Sequence, residues 1–164
     1  MTLIDRIAPG SLIALDTMVW IYAFESHPRY APVVRIVFDE MLAPGRNRIG
    51  SSILTLGEVL VRPLALGRVD IAIEYRRAIQ SGSGLEVWEI HRAIVEKAAQ
   101  LRADHRLRMV DSLHVSSAMV HRANCFLTND AAFKKVTGIE VLLLDEYLSQ
   151  GSDEPPVLAI RSVS

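Results

Sequence analysis

The sequence predicts an α/β domain with a mostly parallel central sheet flanked by helices. Short apolar runs alternate along the chain with segments of helical periodicity, which is the pattern of a parallel sheet. The run 12–15 is continuously apolar, as a strand is when helices cover both faces of its sheet. This run leads directly into Asp16, and the later run 124–128 leads into Asn129 and Asp130. Polar groups therefore follow two of the predicted strands.

Each element is predicted from its local pattern. Strands are expected where apolar or alternating runs are short, at residues 12–16, 48–50, 85–90, 124–128 and 141–144. Helices are expected at residues 18–25, 31–42, 53–62, 69–80, 91–104, 109–122 and 130–136. Proline and glycine mark breaks between these elements, at Pro28, Pro32, Pro44-Gly45 and Gly67. Helix 53–62 is apolar nearly all round, which predicts that it is buried.

The length of 164 residues suits one domain with a substantial core. Residues 1–10 are expected to form an N-terminal arm, residues 11–148 the domain, and residues 149–164 a flexible C-terminal tail. No internal repeat divides the chain. The apolar helices at 31–42 and 53–66 exceed the need of one small sheet, so part of their surface is expected to be an interface.

Composition excludes several classes of protein. The net charge of −1 provides no general basic field for nucleic acid. The single cysteine, Cys125, excludes an internal disulfide framework and is interpreted as a small core residue. The sequence contains no apolar run of about 18 residues and no signal pattern, so we expect no membrane span and a cytoplasmic location.

Two aspartates are expected at the carboxyl ends of strands. Asp16 follows the first strand and Asp130 follows the strand 124–128. Either residue taken alone is adequately explained as a helix N-cap. Two on neighbouring parallel strands can instead converge on the crevice where open α/β sheets bind ligands.

Two further acidic residues lie on predicted helices. Glu58 is placed in the apolar helix 53–62, where a carboxylate needs a partner; Arg62, one turn later, is the simplest partner. Asp111 and His114 share one face of the helix 109–122. The competing interpretation is that Asp111 interacts with the helix dipole and that His114 is an ordinary packed histidine.

Four carboxylates in one place would require protons or a cation. Two of them ~5 Å apart repel by roughly 3 kcal/mol at an effective dielectric constant near 20. Oxygen ligands favour Mg²⁺ or Mn²⁺, and such sites commonly bind substrate phosphate, so phosphodiester hydrolysis is the reaction indicated. Thr17, Thr128 and Asn129 are placed to orient the carboxylates or water molecules.

The acidic residues and their neighbours form motifs in a recognisable order. In chain order these are Asp16-Thr17 after the first strand, Glu58 in an apolar helix, Asp111-Ser112-Leu113-His114 with Ala118, and Thr128-Asn129-Asp130 before Phe133. Over residues 11–148 this order resembles the PIN domain, and is most similar to VapC-type toxins of prokaryotic toxin–antitoxin pairs. Val110 departs from the family pattern, which often has proline there.

The resemblance implies a Rossmann-like sheet and an Mg²⁺- or Mn²⁺-dependent endoribonuclease. It places Asp16, Glu58, Asp111 and Asp130 at the catalytic, metal-binding site. It also implies a homodimer that is held inactive by a cognate antitoxin protein. Arg108, close to Asp111 in sequence, is a candidate contact for RNA phosphates, although this region is equally compatible with a solvated helix face.

Other functions remain open at this point. One is a PIN nuclease of RNA processing or repair that is not a toxin. Another is a catalytically silent PIN fold that binds nucleic acid or a partner protein; the presence of all four acidic residues argues against it. The last is an α/β domain in which each acidic residue is merely a cap or a surface ion pair.

Overall fold

A five-stranded sheet lies at the centre of the protein, in a computed structural model that describes residues 1–149. The strands are β1 (Leu12–Leu15), β2 (Arg48–Ser52), β3 (Leu85–Trp88), β4 (Cys125–Thr128) and β5 (Glu140–Leu143). Every neighbouring pair is parallel, and the spatial order is β3-β2-β1-β4-β5. The predicted α/β class with a parallel sheet is confirmed. Because the chain runs outward from β1 on one side and returns to β4 on the other, the topological switch point lies between β1 and β4.

Helices cover both faces of the sheet. They are α1 (Leu3–Arg6), α2 (Thr17–Phe24), α3 (Ala31–Arg35), α4 (Leu54–Ala65), α5 (Val69–Gln80), α6 (Arg92–His105) and α7 (Met109–Val120). Short 3₁₀ helices lie at Ala131–Lys135 and Leu144–Tyr147. One apolar cluster combines β1 with α2, α3 and α5, and a second combines the other face of the sheet with α6 and α7.

The helix predicted over 31–42 has two parts. After α3 the chain continues as a π-helix over Ile36–Leu42. At its end the backbone N–H of Ala43 donates to the carbonyl of Phe38, five residues earlier, at 2.9 Å. Nearly all apolar side chains of this segment are buried in the core, including Phe38 and Met41. The expectation that this helix has spare apolar surface is therefore wrong.

The helix α4 is not buried as its composition predicted. Only one of its faces packs on the protein, through Thr55, Val59, Leu60 and Pro63. The opposite face is open, and Val61 is 65% exposed. The prediction failed because a helix that is apolar all round still packs through one face when no further layer covers it. The expected spare apolar surface is found here.

The two ends of the chain differ from each other. Residues 1–10, predicted to be an arm, include the helix α1, and both Leu3 and Ile7 are buried in the main core. Of the predicted tail 149–164, all but the first residue lies outside the described residues. Cys125 is buried in β4, as its interpretation as a core residue required. Across residues 1–149, every helix is too short or too polar to cross a bilayer.

Gly50 allows a large side chain to lie across the sheet. A Cβ atom at this position would fall 1.9 Å from the ring of Trp88, which covers the middle of β2 from the edge strand β3. The absence of a side chain at Gly50 is therefore a packing requirement. The same ring stacks on His121 at the end of α7, with centroids 4.8 Å apart, so this contact joins β3 to the helix layer.

Candidate active site

Asp16 lies at the carboxyl end of the central strand and is 9% exposed. Its Oδ1 accepts the backbone N–H of Thr17 at 2.8 Å, so it does cap α2. Its Oδ2 accepts the hydroxyl of Thr128 at 2.6 Å, across from β4. Burial raises the pKa of Asp16, and the hydrogen bond from Thr128 opposes this rise only in part. The residue is thus both a helix cap and a buried carboxylate at the switch point.

Glu58 extends from α4 toward α2 and α7. Its Oε2 accepts a hydrogen bond from the Thr17 hydroxyl at 2.5 Å and lies 2.7 Å from Nε2 of His114. Burial raises the pKa of Glu58, but the hydrogen bonds from His114 and Thr17 outweigh this effect and lower it overall. The prediction of an ion pair between Glu58 and Arg62 is wrong, since Nη1 of Arg62 lies 2.7 Å from Oε1 of Glu25.

His114 is the residue whose role the sequence did not reveal. It is 3% exposed, so it is a packed histidine, but its Nε2 also contacts Glu58, which the sequence did not predict. Its spacing from Asp111 placed it on the face of α7 that carries an acidic residue, which is a usable signal. The identity of its partner on α4 is fixed only by how the helices pack.

Asp111 and Asp130 form a more open part of the site. Asp111 lies in the first turn of α7 and is partly buried. Asp130 follows β4 and is exposed; its Oδ1 accepts the backbone N–H of Ala132 at 2.8 Å, which caps the following 3₁₀ helix. Burial raises the pKa of Asp111, and the negative charge of Asp130 raises it further.

Mutual electrostatic effects link the four acidic residues. The charge of Glu58 raises the pKa of both Asp16 and Asp111, and Asp130 acts on Asp111. We call Asp16 and Glu58 the hydrogen-bonded pair, and Asp111 and Asp130 the open pair. The four predicted residues are thus linked through their charges, near the carboxyl edge of the sheet.

The donor chemistry of this site fits a hard divalent cation. Its side chains offer carboxylate oxygens, and none of the four forms an ion pair with lysine or arginine within residues 1–149. Oxygen donors with uncompensated negative charge are what Mg²⁺ and Mn²⁺ prefer. Among the same residues, however, no three acidic, histidine or cysteine side chains are gathered as ligands of one ion. Ligation by three side chains would require some of them to move.

The predicted supporting residues have different positions. Thr17 and Thr128 each donate to a carboxylate of the hydrogen-bonded pair. Asn129 instead donates to the hydroxyls of Tyr22 and Tyr30, at 3.2 and 2.9 Å, and these tyrosines stack on each other. Its predicted contact with a carboxylate is absent from the described hydrogen bonds.

Arg108 lies near Asp111, at the start of α7. It is the N-cap residue of α7 and is exposed, which leaves its guanidinium accessible to a ligand. Its charge lowers the pKa of Asp111, although burial and Asp130 prevail and the pKa of Asp111 remains raised. Arg108 is therefore close enough to influence the open pair.

Comparison with known proteins agrees with this fold. The PIN domain family model matches residues 13–139. The match covers most of the chain, and the chain belongs to the PIN domain family. No curated protein sequence matches the chain at a significant level.

Several solved structures share the fold. A chain of a toxin–antitoxin complex from Klebsiella pneumoniae is 23% identical, with a TM-score of 0.61 over 80% of this chain and 97% of that one. A chain of VapBC2 from Rickettsia felis, bound to a promoter DNA fragment, is 18% identical, with a TM-score of 0.65 over 80% and 98%. A chain of DNA-bound VapBC from Salmonella typhimurium is 20% identical, with a TM-score of 0.63 over 82% and 98%.

Proposed function

We propose that this PIN-domain chain is a metal-dependent endoribonuclease, the toxin of a type II toxin–antitoxin pair, that hydrolyses RNA phosphodiester bonds in the cytoplasm. The observation that carries the proposal is the acidic site at the switch point, where four coupled carboxylates have no lysine or arginine ion pair within residues 1–149. Similarity to chains of toxin–antitoxin complexes supports the toxin assignment.

The four carboxylates would bind the cation, and one of them would accept a proton from the attacking water. Mg²⁺ or Mn²⁺, when bound, would supply positive charge for the scissile phosphate and lower the pKa of a water molecule. Asp16 and Glu58 would hold their positions through the hydrogen bonds from Thr128, Thr17 and His114. One of the four carboxylates accepts the proton from the water as it attacks phosphorus.

Arg108 would bind the RNA backbone beside the reacting phosphate. It is exposed at the start of α7, close enough to the open pair to affect the pKa of Asp111. An arginine in this position can contact phosphate oxygens with two N–H groups. With a net charge of −1 the protein lacks a general basic surface, so local arginine contacts would account for much of the substrate affinity.

An exposed apolar stripe supports the assignment of a protein partner. We define the stripe by its members on α4, α5 and the turn between them, which are Val61, Leu64, Leu66, Val69 and Ile73. Their exposed fractions range from 41% to 65%. The stripe begins one helical turn after Glu58, so a partner that covers it would also reach the acidic site. We propose a cognate antitoxin as this partner, and a homodimer as the assembly of the chain itself.

The proposed function is tested by cleavage of RNA with the purified chain, in the presence and absence of the product of the adjacent gene. We expect cleavage that requires Mg²⁺ or Mn²⁺, and that is suppressed by that gene product. Asp16→Asn should remove both cleavage and growth inhibition, with an unchanged circular dichroism spectrum. Cleavage that persists with excess chelator would contradict the mechanism, and cleavage unaffected by the adjacent gene product would contradict the toxin assignment.

A catalytically silent PIN module is the second candidate. The observation in its favour is that, within residues 1–149, no three potential ligands are already gathered for a metal ion. Calorimetric titration with Mn²⁺ separates the two candidates. A saturable site that Asp16→Asn removes supports the nuclease, whereas no specific heat of binding supports the silent module.

A further inference from the structure

Glu58 is held by buried groups although it lies at the protein surface. Its side chain is 43% exposed, whereas that of His114 is 3% exposed, and Thr17 is also buried. A glutamate on a helix surface ordinarily samples several rotamers, so fixing one of them requires specific contacts. The two contacts of Glu58 come from α2 and α7, which are distant in sequence from α4.

The hydrogen bonds around Glu58 have a defined direction. The single hydroxyl proton of Thr17 is donated to Oε2 of Glu58. Thr17 can therefore only accept from Thr55, whose hydroxyl oxygen is 3.2 Å away and fully buried. A chain of donors thus runs from Thr55 through Thr17 to Glu58, and it ends on an oxygen that His114 also reaches.

The surroundings of His114 determine which ring nitrogen carries the proton. Its Nδ1 atom is buried and has no hydrogen-bond partner among the described residues, whereas Nε2 lies 2.7 Å from Glu58. A proton on Nδ1 would be a buried donor without an acceptor, which is unfavourable. A proton on Nε2, in contrast, is donated to Glu58. The ring is therefore set to donate to Oε2.

We propose that His114 is a positioning residue that, together with Thr17, fixes the Glu58 carboxylate before a cation and substrate bind. Both donors reach Oε2, so Oε1 receives neither of them. The carboxylate is thereby held in one orientation with one oxygen available to a ligand. This inference rests on the proposed function, because it assigns Glu58 to the cation site.

Removal of the His114 donor should weaken cation binding more than it weakens the fold. Loss of a group that orients a metal ligand typically lowers metal affinity or activity by about 10- to 100-fold. We expect His114→Leu to lose Mn²⁺ affinity in this range, measured by calorimetry on the full-length chain. His114→Gln should keep wild-type affinity within about threefold, because its amide N–H can replace the Nε2–H donor.

His121→Leu is the matched control on the same helix layer. It removes an imidazole that stacks on Trp88, so it disturbs packing without touching Glu58. We expect a lower melting temperature and unchanged Mn²⁺ affinity. Equal affinities in His114→Leu and the wild type would overturn the positioning role while leaving the proposed function intact. Absence of any Mn²⁺ site in the wild type would overturn the proposed function and this inference with it.

Two further measurements keep the proposal testable if His114→Leu folds poorly. Long-range ¹⁵N–¹H spectra of the metal-free wild type should show His114 with its proton on Nε2; a proton on Nδ1 would overturn the proposal. In a Glu58→Gln background, His114→Asn, whose amide is one methylene shorter than that of glutamine, and its parent should have the same Mn²⁺ affinity, since the ligand that His114 orients is already altered. A large further loss in that background would also count against the proposal.

Discussion

The two pairs of carboxylates at the edge of the sheet are held in different ways. Asp16 and Glu58 receive hydrogen bonds from the side chains of Thr128, Thr17 and His114. The carboxylates of the open pair, Asp111 and Asp130, receive no side-chain donor in the described hydrogen bonds. The carboxylate of Asp130 accepts the backbone N–H of Ala132, and its own backbone N–H donates to the hydroxyl of Thr128 at 3.1 Å. The carboxylates of the hydrogen-bonded pair are therefore oriented by side-chain donors, and those of the open pair are not.

This difference gives the two pairs different parts in the proposed reaction. The desolvation of Asp16 is unfavourable, and charge-assisted hydrogen bonds offset it in part. Burial raises the pKa of Asp111, and repulsion by the negative charge of Asp130 raises it further. A bound cation would relieve that repulsion and would attract the carboxylates of the open pair toward those of the hydrogen-bonded pair. Such a movement is consistent with the metal-free structure, in which no three potential metal ligands of residues 1–149 lie close enough together to bind one ion.

The largest effect is expected from loss of the buried charge. Asp16→Asn should lower RNA cleavage by roughly 10²- to 10³-fold, because it removes a ligand of the cation that would stabilise the negative charge of the transition state. Asn can still accept from Thr17, so α2 keeps its cap. The measurement is single-turnover cleavage at saturating Mg²⁺.

Asp130→Asn provides the comparison from the open pair. It should lose cleavage to a similar degree while leaving the melting temperature of the metal-free protein unchanged, because Asn also caps the 3₁₀ helix at Ala132. Full activity in either variant would contradict the assignment of that residue to the active site. A large fall in the melting temperature of Asp130→Asn would show that the open pair is structural.

The next effect concerns the hydrogen bond between Thr128 and Asp16. Thr128→Val removes the hydroxyl that donates to a carboxylate that is 9% exposed and that accepts the backbone N–H of Asp130 at 3.1 Å, and should destabilise the metal-free protein by about 1–3 kcal/mol. Thr128→Ser keeps the hydroxyl and should lose much less stability. Urea unfolding in the presence of a chelator measures both variants. Equal losses in Val and Ser would contradict the assignment of the effect to the hydrogen bond.

A smaller effect is expected in the pH dependence of stability. The pKa of Asp16 is raised above its ordinary value of 3.8, so folding takes up a proton between the unfolded and folded pKa values. The stability that this group contributes at low pH is therefore lost as pH rises through that window, by about 1.4 kcal/mol for each pH unit between the two pKa values. The free energy of unfolding of Asp16→Asn, minus that of the wild type, should increase over the same window and then level off. A decrease with pH would contradict burial as the dominant cause.

The candidate site could be predicted from the sequence because its main signals are local. Asp16 and Asp130 each follow an apolar strand, and the edge of a parallel sheet brings such residues together whatever the loops do. The partner of Glu58 was not predictable in the same way. Arg62 was expected because it is one turn away, but the contact is made by His114, 56 positions later on α7.

In the fold, too, features set by local sequence were predicted, and features set by contacts between distant residues were not. The ends of the strands were predicted within about two residues because apolar runs define them. The exposure of Val61 on α4 was missed, since a composition rule does not reveal whether another layer covers a helix. Asn129 was assigned to the carboxylates from its position after β4, yet its side chain turns to Tyr22 and Tyr30.

The smallest effect is expected at Arg108, at the outer side of the open pair. Arg108→Ala should raise KM for RNA several-fold, leave kcat and the melting temperature unchanged, and reduce the salt dependence of binding by about one phosphate contact. The reason is that Arg108 is exposed and would touch the substrate but not the reacting atoms. Arg77→Ala, an exposed arginine on α5, is the control and should leave all of these values unchanged. If kcat falls while KM is constant, Arg108 acts on Asp111 rather than on RNA, and the open pair depends on a neighbouring positive charge.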